Sequence, residues 1–533
     1  MKDAKTRLPV LLPRLAGIGL AMAGLAASPA LAQQATTASQ ENDNGQQSAT
    51  ANRSLLLRGS ANTVTKQPDD PFAGESVFFP ASADGSGPGG ANGSSTGTDG
   101  TALTGTIGFS GETQGRSIRV AGEPAIGDAL TNGSPDPRAS VREPAVESGT
   151  RRVEDTDPFL PQGFRAGTWT VFTRLEQAVG FATNSAFSPG GEAGAFSQTD
   201  ANLRAVSNWS RHQASIEADG SFRRNLASGE EGIPQAGIKG DLRLDLVDGF
   251  AATVSGGYRY TTEALTSTSL TSTVSQRPGV HSLNGGLAVE RSGGKLGLLL
   301  RGTVDRVTYD NASLSGGGTL DQSDRNNTLY QGTVRVSYES SPALQPFVQL
   351  GAGRRVYDDT VDRNGEKRSS TIVDVRGGLA IDLGEKTSGE VSLGYINENF
   401  DDANLNSLSG ITLNANLDWS PERETRIRFL SATTLGGSTT AGDNGSLNQN
   451  FSLEAQRRVR DNLEFNAKAS VDAVHFDTGG TTDITYTVGA GLEYWVSRFL
   501  SLTADVEHQQ FESGTAGNSW NSTSVRFGVA LQR

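Results

Sequence analysis

From about residue 164 to Arg533, apolar and polar residues alternate in short runs separated by turn residues. In Ala236–Leu246 the residues Ile238, Leu242, Leu244 and Leu246 fall on one face, and Lys239, Asp241, Arg243 and Asp245 on the other. A period of two is that of a β-strand with unlike faces. Parsing the region this way predicts about eighteen strands (sixteen to twenty), the first at 166–181 and the last at 520–532. Many of these runs exceed the roughly 9–11 residues that a tilted strand needs to cross a bilayer.

The connections alternate in length. Short ones such as Val247-Asp248-Gly249 and Arg460-Asp461-Asn462 follow even-numbered strands, and longer polar ones such as 264–280 and 310–327 follow odd-numbered strands. Membrane barrels have short turns on the periplasmic side and long loops outside. The pattern therefore predicts an all-β, transmembrane, up-and-down antiparallel β-barrel, preceded by a disordered N-terminal arm, with both termini periplasmic. Aromatic residues sort by strand end. Trp169, Trp209, Trp419 and Trp495 fall at the predicted periplasmic rim, whereas Trp520, Tyr309, Tyr330, Tyr357, Phe400, Phe476 and Phe511 fall at the outer rim. Two such belts are what membrane interfaces favour.

Three zones follow along the chain. Residues 1–32 read as a signal peptide, with basic Lys2, Lys5, Arg7 and Arg14, an apolar stretch from Leu15 to Ala27, and Ala30-Leu31-Ala32 as a small-x-small cleavage site. Residues 33–163 are rich in Gly, Ser, Thr, Ala, Asn and Asp, a composition that buries too little apolar surface to offset its ordering entropy. They are expected to form a periplasmic arm or linker. Residues 164–533 are the barrel.

The chain has no cysteine, which excludes disulfides and thiolate metal sites, and its net charge of −13 argues against nucleic-acid binding. Gly85-x-Gly87-x-x-Gly90 matches a dinucleotide fingerprint but neither follows a strand nor opens a helix. The four histidines, His212, His281, His475 and His508, show no convergent nucleophile–base arrangement. The acidic stretches Asp358-Asp359, Asp362–Glu366, Asp401-Asp402 and Asp443-Asn444 lack calcium-loop spacing and read as solvated loop charges. No catalytic, cofactor or metal site is expected, and the chain is not expected to be an enzyme.

The inward positions carry the chemistry. By parity these include Arg174, Glu176, Glu217, Asp219, Lys239, Asp241, Arg243, Asp245, Arg259, Arg301, Asp305, Arg335, Asp374, Arg376, Lys468, Asp472, Asp505 and Glu507. Ionised groups facing lipid cost a few kcal/mol each near the midplane, so they are expected to line the interior. Two readings remain open. In one these groups wet a channel and set its electrostatic profile; in the other they pair across strands and merely keep a hydrated lumen stable. A barrel of this width leaves an aqueous channel unless plugged.

The lead-in Asp157–Gly167, the segment Asn208-Trp209-Ser210-Arg211-His212 and the ending Val529-Ala530-Leu531-Gln532-Arg533 resemble the outer-membrane β-barrel porins of alphaproteobacteria. The likeness covers about 155–533. It implies a porin-like channel for passive diffusion of small hydrophilic solutes in the outer membrane of a Gram-negative bacterium. The alternative is a plugged structural or surface-interaction barrel. The expected partners are outer-membrane lipid and lipopolysaccharide, the barrel assembly machinery, periplasmic chaperones and further copies of the chain. One departure is the terminal Arg533, where many such barrels end in an aromatic residue.

Overall fold

The computed structural model describes residues 158–533, apart from 227–231, 264–275, 292–294, 342, 385, 423, 439–443, 478–479 and 515. The expected signal peptide and arm, up to residue 157, lie outside the described residues. A short strand β1 (Phe164–Ala166) leads into the barrel. The first seven barrel strands are β2 (Trp169–Ala182), β3 (Gly194–Ser207), β4 (Gln213–Asn225), β5 (Ile233–Asp245), β6 (Phe250–Thr262), β7 (Gly279–Arg291) and β8 (Leu296–Tyr309). The following connection contains a small hairpin, β9 (Ala312–Ser313) and β10 (Thr319–Leu320), and one 3₁₀ turn at Ser323–Arg325. The barrel then continues through β11 (Asn327–Tyr338), β12 (Leu344–Tyr357), β13 (Ser370–Asp382), β14 (Thr387–Phe400), β15 (Leu408–Trp419) and β16 (Thr425–Gly436). It ends with β17 (Ser446–Arg460), β18 (Leu463–Phe476), β19 (Thr482–Ser497), β20 (Leu500–Glu512) and β21 (Trp520–Gln532).

Each barrel strand pairs antiparallel with its neighbours, and β2 closes the cylinder on β21, from Arg174 opposite Gln532 to Ala182 opposite Ser524. The barrel has the expected eighteen strands. Turns at the end where β2 begins and β21 finishes are short, as in 246–249, 461–462 and 498–499; connections at the other end run longer, as in 263–278, 310–326 and 358–369. Two of the short turns use positive φ at His212 and Asp248, a conformation that polar residues tolerate better than branched ones.

The period of two becomes two chemically distinct walls. Leu175, Val179 and Phe181 of β2 and Leu350 of β12 point outward and are exposed, while Arg174, Glu176 and Gln349 on the same strands are buried on the inner face. Leu393, in the middle of β14, is 60% exposed on the outer face. Leu393→Arg is therefore expected to lower stability by about 2–4 kcal/mol in a bilayer, the usual cost of an arginine on the lipid face near the midplane. Urea unfolding in liposomes measures it; an unchanged midpoint would mean that this face does not meet lipid.

The aromatic belts need correction. Trp209, Trp419 and Tyr330 are exposed on the outer wall, but Trp495, Trp520, Phe511 and Tyr357 are buried. Trp520 shares the face of Arg526, Trp495 that of Glu493, and Phe511 that of Asp505, so these rings point into the barrel. Position along a strand sets a ring's depth; parity sets its face, and these four have inward parity. Residues 158–163 also differ from the sequence expectation of an unstructured arm. Leu160 is buried, the Pro158 and Phe159 carbonyls accept hydrogen bonds from Arg498 and Gln532, and Gly163 lies against the Phe172 ring.

One stretch of wall departs from the regular ladder. β15 and β16 pair only from Ala415–Ser431 to Trp419–Ile427, whereas β16 and β17 pair along their full length to Gly436–Ser446. Beyond Ala415 the ladder is replaced by side chains. The Leu413 amide donates to Thr433 Oγ1, and the Ser431 and Thr433 hydroxyls donate to the Leu413 carbonyl. Leu435 has outward parity in its strand, opposite to that of Arg428, yet it is fully buried against Leu329, Ile372, Ile396 and Leu408, inward residues of β11, β13, β14 and β15. The outer half of the β16–β17 hairpin thus folds inside the wall and lays its outer face on the inner face of β11–β15. Two contacts confirm this placement. A Cβ on Gly410 of β15 would lie 2.5 Å from Leu447 Cδ2 of β17, and one on Gly437 would lie 2.7 Å from Tyr357 Oη of β12.

Candidate functional site

The inner face is a web of ion pairs built from neighbouring strands. Inward residues on adjacent antiparallel strands lie side by side, which brings long side chains within reach of one another. The densest part spans the closing seam. Arg526 of β21 contacts Asp505 of β20 at 3.0 Å, Asp200 of β3 at 3.3 Å and Glu176 of β2 at 3.9 Å. Arg174 contacts Glu493 at 2.8 Å and Glu176 at 3.2 Å, and donates to Gln532 Oε1. The Thr503 hydroxyl donates to Glu176, and the Ser501 hydroxyl to Glu493.

A second group lies on β3–β7. Glu217 pairs with Lys239 at 2.6 Å and Arg204 at 3.5 Å, and Asp219 pairs with Arg259 at 3.5 Å. Asp241 lies beside Lys239. Arg243 joins Glu290 at 2.7 Å and Asp245, which is largely exposed at the short-turn end. A third group occupies β8 and β11–β14. Arg335 grips Glu390 with two nitrogens and donates through Nε to Gln349, while Arg301 lies close by. Asp374 and Arg376 pair at 2.8 Å along one strand, and Asp305 accepts from Thr303. Lys468 lies between Asp472 on its own strand and Glu507 on β20.

All of the residues singled out from the sequence thus face inward, with Asp245 at the rim. Parity reasoning passed over Asp200 and Arg204 of β3, Glu290 of β7, and the buried Arg355–Glu398 pair at 3.0 Å. The signal was available: Phe196, Gln198, Asp200, Asn202, Arg204 and Val206 alternate with smaller residues and leucine. Two of the web's arginines stack on rings that lie over inward glycines. Arg223 sits 3.9 Å above Phe196, whose ring covers Gly180; Arg335 sits 4.0 Å above Phe347, whose ring covers Gly378.

Three of the acidic loop stretches, 358–359, 362–366 and 401–402, hold paired carboxylates rather than only freely solvated ones, and Asp443 lies outside the described residues. Asp358 binds Arg306, Asp401 binds Arg354, and Asp362 and Glu366 both bind the buried Arg368. Among the described residues, no three acidic or histidine side chains are grouped to hold a metal ion. His281 contacts the Tyr258 hydroxyl at 2.7 Å and Asp310 at 3.3 Å on the exposed outer side of the long-loop rim.

Asp324 and Arg363, 2.6 Å apart, tie the connection 310–326 to 358–369. Burial raises the Asp324 carboxyl, but hydrogen bonds and charge from Arg363 outweigh it and hold the group below its ordinary value of 3.8. A depressed carboxyl stabilises above its unfolded pKa, and that contribution is lost as pH falls through the folded one. The tie is expected to hold at pH 5 and to loosen only below about 3.9. Hydrogen exchange at 310–326 should therefore quicken between pH 5 and pH 3 beyond the intrinsic pH effect, and Asp324→Asn should abolish that extra step. A wild-type response identical to that of the variant would exclude the tie.

A family model described as Putative beta-barrel porin 2 matches residues 157–533, the whole barrel and the lead-in. The chain belongs to that family. Solved structures to which the chain is similar include the outer membrane protein opdK from Pseudomonas aeruginosa, at 13% identity over 68% of this chain and 99% of that one, with a TM-score of 0.35. The copper transporter OprC is similar at 10% identity over 70% of this chain and 81% of that one, with a TM-score of 0.38. The siderophore receptor PirA from Acinetobacter baumannii is similar at 9% identity over 68% and 80%, with a TM-score of 0.33. No curated protein matches the sequence.

Proposed function

We propose that this family member is a non-enzymatic outer-membrane channel for passive diffusion of small hydrophilic solutes. The observation that carries the reading is the closed eighteen-strand wall, apolar outside and lined inside by ionised groups of both signs. Such a wall fits a polar lumen in a membrane. In this reading the short-turn end and both termini are periplasmic, the host is Gram-negative, and the lead-in and terminal motifs point to an alphaproteobacterium. Lipopolysaccharide meets the outer rim, and chaperones and the barrel assembly machinery deliver the chain. Self-association belongs to the same proposal.

Conductance of the refolded chain in planar bilayers tests it. Steady steps support an open pore; silence from a folded, heat-modifiable barrel rejects it. The pairing of opposite charges predicts weak ion selectivity. Lys239→Glu removes one cation from the group holding Glu217, Asp219 and Asp241, and is expected to move the reversal potential toward cation preference. An unchanged potential would mean that ions do not pass this group.

One observation favours the plugged alternative. Phe159 and Gly163 contact the inward-facing Gln532 and Phe172, so the chain reaches β2 from the inner side of the mouth. Deleting 33–155 separates the readings, since a large rise in conductance indicates a plug and no change indicates a tether.

A further inference from the structure

We propose that the seat of the infolded β16–β17 hairpin is a binding site for an alkyl-chain amphiphile, which displaces the hairpin and widens the outer mouth. Leu329, Ile372, Ile396 and Leu408 form an aliphatic patch on an inner face that is otherwise rich in charge. Water would meet this patch if nothing apolar covered it. Leu435 and Leu447 of the hairpin cover it now, with Phe400 at the edge.

The hairpin has a second place to go. Continuing the antiparallel register of Ala415 opposite Ser431 would set Leu413 opposite Thr433 and Ile411 opposite Leu435. In that position Leu435 and Leu447 would lie on the lipid face beside Ile411, so the same leucines suit both positions. The backbone groups of Leu413 that the full ladder would use are held by the Thr433 and Ser431 side chains, a substitution that exchange can reverse. Rezipping leaves the four aliphatic side chains bare, and this cost keeps the hairpin inside. Covering even one of them is worth about tenfold or more in the equilibrium between the two positions. The occupant that releases the hairpin must therefore be apolar where it meets the wall. It must also carry a polar group where the seat meets the charged lumen, at the Arg355–Glu398 pair and Ser370.

The absence of native cysteine gives a direct test on the full chain. A Cβ on Gly410 would lie 3.5 Å from Leu447 Cγ, so Gly410→Cys with Leu447→Cys is within disulfide reach only when the hairpin is folded in. Ile411→Cys with Leu435→Cys is within reach only when it is zipped. Under oxidation the first pair is expected to cross-link and the second to remain free. Octanoate should shift the balance toward the second pair by about tenfold or more, whereas acetate, which has the carboxylate without the chain, should not. Octanoate should raise the conductance of the wild-type chain and leave the cross-linked first pair unchanged.

Because the leucine exchanges loosen the seat, Gly410→Val is the second variant. Its branched side chain should wedge Leu447 away and raise conductance without octanoate. Cross-linking ratios indifferent to octanoate, or a response to acetate equal to that to octanoate, would overturn the proposal. The conductance arm rests on the channel reading; the cross-linking ratio reports the hairpin's position in a silent barrel as well, so the two can fail separately.

Discussion

Arg526→Ala is expected to lower the stability of the folded barrel by about 3–5 kcal/mol, the usual cost of removing one partner from a buried ionic group. Arg526 is 4% exposed and serves three carboxylates on three strands, Asp505, Asp200 and Glu176. Its removal leaves Asp200 with the neutral donor Gln198 and takes the guanidinium from Asp505, while Glu176 keeps Arg174. The energy lost is mostly the penalty of the stranded charges rather than the worth of the original bonds. Asp200→Asn and Asp505→Asn introduced together with Arg526→Ala should therefore recover most of the loss. Urea unfolding in liposomes, followed by tryptophan emission, measures the series. A loss under about 1 kcal/mol would place the group in the range of solvent-exposed pairs. It would mean that lumen water reaches the carboxylates, which would favour a wet channel over a sealed web. The same experiment thus bears on function through energetics.

The barrel itself was legible because its causes are local. Period-two alternation, turn chemistry and the alternation of loop lengths predict the strand number and the up-and-down order. Parity also found most of the inner charges, from Arg174 to Glu507, since a strand offers only two faces. What parity does not carry is how inward residues are distributed among partners. That Arg526 meets Asp200 depends on β21 closing against β2, a contact between the first and last strands of the barrel. The infolded hairpin was illegible for another reason. Leu435 and Leu447 read as lipid-facing in any regular barrel, and only the inward aliphatics Leu329, Ile372, Ile396 and Leu408, misplaced among polar neighbours, hinted at a cover. The rims were misread where depth was used without parity, as Trp520 and Phe511 show.

Gly378→Val is expected to cost at least about 1–3 kcal/mol, the range for overpacking a filled site, while Gly377→Val one residue away costs little. Gly378 faces inward under the Phe347 ring, and a Cβ there would lie 2.3 Å from the ring and 2.6 Å from the Val391 carbonyl oxygen. At Gly377, on the outer face, the nearest atom to an added Cβ is the Phe347 carbonyl oxygen at 3.9 Å. The inner clash propagates. Lifting Phe347 removes the surface on which Arg335 stacks, and Arg335 holds Glu390 and Gln349. The valine is therefore expected to disturb an ionic group it does not touch, and Phe347→Ala in the same chain should relieve part of the effect by emptying the space above the glycine. The arrangement on β2–β4, with Gly180 under Phe196 and Arg223 above, predicts the same asymmetry there. Unfolding midpoints for the two valine variants decide the matter. Equal losses at 377 and 378 would show that the backbone's conformational freedom matters at both sites and that the ring does not need the glycine beneath it. A loss confined to 378 would show that close approach of the ring to the wall is what allows an arginine to lie flat against the inner face.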